Sequence, residues 1–309
     1  MRRTLPLLAL LAGLLLAPDA RAFVLLRYSF QACPFPCPPG ANIDVDRSLR
    51  EAARWNAAAF GFDDGIRVGV DAGFGEALAV ANPAGAAEYE QGVADAFAAW
   101  ETAELGFDIT FGSFGGGQIQ ISAVEARTHP DFQGHSASGL AFVHTFMSPA
   151  RELTSGIVEA GRVISSARIL IASDRVRQAF DIWKLAGLLE ESQRIDRFTN
   201  LMIHEIGHAI GLGHPNENPD FNFDDDGDPF TVFQPDPFAP HEGLSLSPDF
   251  DPGAIMHGGG LLDFEAIVAT ELFPDDRSGL NFLYPTVPEP GASVLLAAAL
   301  ATALRRRAP

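Results

Sequence analysis

The chain is expected to fold as a mixed α and β protein of the α+β class. Phe107–Phe111 and Gln118–Ser122 alternate apolar and polar residues like half-buried strands, while Val93, Phe97 and Trp100 recur at helical spacing. A hydrophobic content of 47% over 309 residues supports one large domain or two lobes with a sizeable core. The elements then follow in order. Residues 23–60 read as irregular, with a helix around Leu49–Phe60. Ile66–Val70 is a first strand and Ala86–Thr102 a long helix. The strands Phe107–Phe111 and Gln118–Ser122 are split by Gly115, Gly116 and Gly117. Leu140–Phe146 and Val163–Ile171 are further strands. Ile182–Ile195 is expected as an inserted helix before a helix at Asn200–Ile210. Trp55, Trp100 and Trp183 are most simply core residues.

The most informative stretch runs from His204 to His214. His204 and His208 stand four residues apart, so on a helix their imidazoles share a face. Glu205 follows the first histidine and is placed to act on a water at a metal. Gly211 can leave the helix in the left-handed conformation, so that His214 swings back as a third nitrogen ligand. Three protein ligands leave a fourth position open, which is the pattern of catalytic rather than structural zinc. The spacing H-E-x-x-H-x-x-G-x-x-H fixes five positions, and a core helix that merely carries two histidines leaves Gly211 and His214 unexplained. A zinc site without catalysis is the competing reading.

With these residues the chain resembles the metzincin metallopeptidases, whose motif is followed by a methionine turn. Ala254-Ile255-Met256-His257 is similar to that turn, which implies that Met256 packs beneath the metal. The phrase Leu201–His214 looks like the matrixin and serralysin group, Pro215 being more serralysin-like. Asp275–Tyr284 is similar to the last helix of matrixin catalytic domains. The resemblance covers residues 61–286. It implies a twisted, mainly parallel sheet with an antiparallel edge strand, packed on two long helices, and a smaller irregular C-terminal lobe. It also implies a zinc-dependent endopeptidase that hydrolyses peptide bonds with metal-activated water and Glu205 as general base. The substrate would be a polypeptide laid along the edge strand. The alternative class is a non-catalytic zinc-binding protein of the extracellular matrix or cell surface.

Two further cation sites are suggested. His129, Asp131 and His144 are spaced like the structural zinc ligands of matrixins, with the expected later histidine missing and His135 a substitute. Asn222, Asp224, Asp226 and Asp228, with Gly227, resemble the start of a calcium loop. Phe233 stands where a complete EF-hand needs glutamate, so only a looser Ca2+ clip or a solvated acidic loop remains.

The ends read as addresses. Arg2 and Arg3, the apolar run Leu5–Ala17 and Ala20-Arg21-Ala22 form a secretory signal over residues 1–22, so the mature chain is expected to begin at Phe23. Residues 287–309 run from Val287-Pro288-Glu289-Pro290 through an apolar segment, Ala292–Leu304, to Arg305, Arg306 and Arg307. That segment is too short to span a bilayer stably. The tail resembles the PEP-CTERM sorting signal, which implies export in a Gram-negative bacterium and processing by an exosortase. The expected location is the periplasm, cell surface or medium, and the expected state a monomer without a membrane span. Net charge of −19 argues against nucleic-acid binding. Cys33 and Cys37 suit a small disulfide loop after export, with a zinc-blocking thiol as the alternative, and residues 23–60 are a candidate pro-segment.

Overall fold

The computed structural model describes residues 22–24, 53–55, 65–79, 85–102, 105–113, 115–152, 158–185, 187, 193–214, 222–224, 245–246, 255–256 and 271–284. Its centre is a five-stranded sheet made of β2 (Ile66–Val70), β3 (Phe107–Phe111), β4 (Ile119–Val124), β5 (Gly139–Glu152) and β6 (Val158–Ala172). The spatial order is β3-β2-β4-β6-β5. β2 pairs in parallel with β3 and with β4, β4 pairs in parallel with β6, and β5 closes the sheet antiparallel to β6. The fold is therefore mixed α/β around a mostly parallel sheet with an antiparallel edge strand. Ile66, Val68, Val70, Ile119, Ile121 and Ile169 are buried, as a sheet covered by helices requires.

Among the described residues the helices are α1 (Phe74–Leu78), α2 (Ala86–Trp100), α3 (Ser173–Leu185), α4 (Gln193–Ile210) and α5 (Pro274–Leu283). α4 packs on α2, β5 and β6, while α3 packs on α1, β4 and β6. α2 and α4 approach closely at Gly92, where an added Cβ would crowd Thr199 and Phe198. The Tyr89 ring meets Phe198 edge-on at 4.9 Å, and the Trp100 indole N–H donates to the Ile203 carbonyl at 2.9 Å. A second, three-stranded sheet joins β1 (Ala22–Val24), β7 (Asn222–Asp224) and β8 (Ser245–Leu246) in the order β1-β7-β8. Among the described residues no helix is long and apolar enough to cross a membrane.

Three expectations are corrected. The helix expected at Ile182–Ile195 is two helices, α3 ending at Leu185 and α4 beginning at Gln193, with Gly187 at φ 68° between them. α3 starts directly at the end of β6, with no turn residue to announce it. The strands expected at Leu140–Phe146 and Val163–Ile171 extend into a hairpin of 14 and 15 residues. Register shifts at His144/Thr145 and Ser148/Arg151 throw the alternation out of phase and hide its length in the sequence. Ala53–Trp55 is not helical: Arg54 bridges Val163 in parallel, and the Ile164 amide donates to the Arg54 carbonyl at 2.8 Å. The rest of the helix expected at Leu49–Phe60 lies outside the described residues. Ala53 and Trp55, within the segment expected to precede the domain, are buried in its core.

Candidate metal centre

His204 and His208 project from one face of α4, and their ring centroids lie 4.8 Å apart. The helix ends at Ile210. Gly211 then takes φ 115°, which returns the chain toward the same face. His214 arrives with its Nε2 at 2.8 Å from His208 Nε2 and 3.0 Å from His204 Nε2. The three imidazoles present ligand atoms that all lie within 4.8 Å of one another.

The tautomers bear on what this cluster accepts. The His204 Nδ1–H donates to the Ile255 carbonyl at 2.7 Å, and the His208 Nδ1–H to the Leu212 carbonyl at 2.8 Å. Both rings therefore turn a bare Nε2 lone pair toward His214. A neutral His214 has at most one N–H to offer the two lone pairs, so at least one close nitrogen pair faces lone pair to lone pair. A cation relieves that conflict. Backbone carbonyls on the outer nitrogens are also the usual way in which imidazole ligands are oriented. Tetrahedral zinc, with Zn–N ~2.0–2.1 Å, needs nitrogens about 3.3 Å apart, a small expansion from those seen here. The residues fit a metal ion bound by three nitrogens.

Electrostatics agree with the geometry. Burial holds the His208 imidazole well below its ordinary pKa of 6.5, the neighbouring His204 and His214 push it the same way, and the Leu212 carbonyl opposes them. The ring is thus held in the neutral, ligating form. Burial pushes the Glu205 carboxyl up from 4.5 to about 8. Glu205 is 4% exposed, and its carboxylate lies against Gly139, the first residue of β5. Any Cβ at position 139 would overlap the Glu205 carboxyl group.

Met256 packs on the backbone of α4: a Cβ at Gly207 would overlap the Met256 sulfur and crowd Trp100. Asp276 of α5 holds this turn. Its carboxylate accepts the amides of Ile255 at 2.9 Å, Met256 at 3.0 Å and Phe273 at 3.1 Å. Ile255 in turn fixes His204, so a buried carboxylate reaches the cluster through one peptide unit. The sequence reading took Trp55 as core and Asp276 and Tyr284 as part of the last helix, but it gave none of them, nor Gly139, a part in the site. Asp276 left a trace, since two acids after a proline mark a helix start, but Gly139 left none.

The remaining candidates fare differently. His129, Asp131 and His144 form no ligand cluster; among the described residues His204, His208 and His214 are the group of three that does. Asp131 pairs with the Arg168 guanidinium at 2.6 Å, and the His129 Nδ1 accepts the Asp131 amide at 3.4 Å. His144 lies exposed on β5 opposite Ser166, and His135 is exposed beyond the 3-10 turn Pro130–Phe132. Asn222 and Asp224 are strand residues of β7. Asp226 and Asp228 lie outside the described residues, as do Cys33, Cys37, residues 1–21 and residues 285–309. No family model matches the chain, and no curated protein matches it. Fold and site together define a mixed α/β protein with a three-imidazole centre able to hold a metal ion.

Proposed function

We propose that the chain is a zinc-dependent endopeptidase of the metzincin type. The observation that carries this reading is the convergence of three imidazole nitrogens beside a buried glutamate that abuts the first residue of an edge strand. Zinc, when bound there, supplies a Lewis acid that lowers the pKa of a water and polarises a carbonyl.

The chain's own residues do the rest. Glu205 takes a proton from the attacking water and hands it to the leaving amine. Its burial keeps the carboxyl protonated in the metal-free protein, so a nearby cation is what makes it available as a base. His208 stays neutral, and His204 and His208 are oriented through Ile255 and Leu212. β5 stands at the sheet edge, where an extended polypeptide can add as a further strand. Gly139 carries no side chain to stand between that strand and Glu205. In this reading the protein is exported and sorted by its tail through an exosortase, and it acts as a monomer.

Cleavage of casein by the purified protein with zinc, beside Glu205→Ala, tests the proposal. Cleavage abolished by chelator and lost in the variant is expected. Zinc bound by both proteins without cleavage by either moves the assignment to a non-catalytic zinc protein. No zinc bound sinks both.

A further inference from the structure

His214 reaches His204 and His208 only because α4 stops after Ile210 and the chain reverses. The last four carbonyls of a helix have no partner within it, and here each has one from elsewhere. The Leu212 amide donates to the Gly207 carbonyl at 2.9 Å and the Gly211 amide to the His208 carbonyl at 3.1 Å. These are the two bonds of a Schellman turn with glycine at its left-handed position. The turn leaves the carbonyls of Ala209 and Ile210. The Trp55 indole N–H donates to Ala209 at 3.0 Å, and the Tyr284 hydroxyl donates to Ile210 at 2.8 Å. The same hydroxyl oxygen accepts the Trp55 amide at 3.0 Å, linking the two clamps. Trp55 and Tyr284 are both buried, and the Ala53 carbonyl fills the space where a Cβ of Gly211 would go. Just beyond the turn, the Leu212 carbonyl is the group that orients His208.

We propose that Trp55 and Tyr284 are positioning residues for the metal centre, acting through the end of α4. The inference rests on the reading of His204, His208 and His214 as metal ligands. Without the Tyr284 hydroxyl, the Ile210 carbonyl and the Trp55 amide both lose a buried partner, which the helix end relieves by shifting or admitting water. Either response moves His208 and His214 relative to His204, because both depend on the turn.

The test is zinc and cobalt binding to the full chain, to Tyr284→Phe and to Trp55→Phe. Affinity is measured by chelator competition, and thermal unfolding is followed with and without metal. Zinc affinity is expected to fall about tenfold to a hundredfold, the range for groups that orient metal ligands. The stabilisation conferred by metal should shrink, and the visible spectrum of the cobalt form should change. A merely structural role lowers both unfolding temperatures equally and leaves affinity and spectrum unmoved, and that result overturns the proposal. Failure of the unmodified chain to bind either metal defeats the underlying metal reading instead. If neither variant folds, hydrogen exchange on the unmodified chain decides. Metal should slow exchange at Trp55 and at 280–284 as well as at 204–214, and protection confined to 204–214 overturns the inference.

Discussion

Glu205 is the buried carboxyl beside the three imidazoles, with its pKa raised by burial. On the proposed peptidase reading, replacing it with Gln preserves shape and removes the base, so the variant is expected to keep zinc and lose about 10²–10⁴-fold in kcat, as measured by peptide hydrolysis. The metal-free protein offers an independent check. Its folded-state carboxyl is raised to about 8 from 4.5, so between those values the unfolded chain ionises while the folded chain keeps its proton. Stability therefore falls as pH rises through that window and levels off above it. Urea midpoints measured in chelator should show this slope, and Glu205→Gln should remove its Glu205 component. Gly207 is a second residue with a sharp expectation. Its Cβ would meet the Met256 sulfur, so Gly207→Ala should destabilise by about 1–3 kcal/mol in urea unfolding, as overpacking does. At this scale the sequence was most legible, because ligand spacing along one helix needs no tertiary information. What it hid were groups such as Gly139 and Asp276, which matter only through contacts 66 and 21 residues away in the chain.

Elements were legible where one period held throughout. β2 and β3 have the bounds their apolar patterns predict, and α2 falls short of its expected end by two residues. β5 and β6 were half-seen, since bulges break the alternation, and α3 was missed because β6 runs into it without a turn. The first turn of α3 explains how that junction holds. Asp174 accepts the Ala126 amide at 2.8 Å and the Arg127 amide at 3.4 Å. Burial pushes its carboxyl up, but the backbone amides of Ala126, Arg127, Arg175 and Asp174 itself outweigh that, and the net pKa lies below 3.8. Folded Asp174 thus contributes stability above the unfolded-state pKa and loses it as pH falls through the folded one. Asp174→Asn is expected to cost about 1 kcal/mol at neutral pH and to soften the acid limb of the unfolding profile, read by circular dichroism.

For the whole molecule the decisive fact is that Ala53–Trp55 belongs to the core. A chain starting at residue 61 loses the buried Trp55 and both of its clamping bonds. It is expected to be destabilised by at least ~3 kcal/mol relative to the full chain, the cost of deleting a core tryptophan. Comparison of urea midpoints checks this, and equal midpoints would show the clamp to be dispensable. The sequence could not show these bonds, because Trp55 finds its partners 154 and 229 residues further along.

The bond between Trp55 and Tyr284 also sets an order of events in time. Closing a loop of that length is entropically slow compared with forming α4 or the β5–β6 hairpin. A chain that threads across a membrane from its N-terminus delivers Tyr284 229 residues after Trp55. On the proposed reading of an exported peptidase, the turn carrying His214 therefore stays unlatched until Tyr284 has emerged, well after His204 and His208, and the metal centre is completed late.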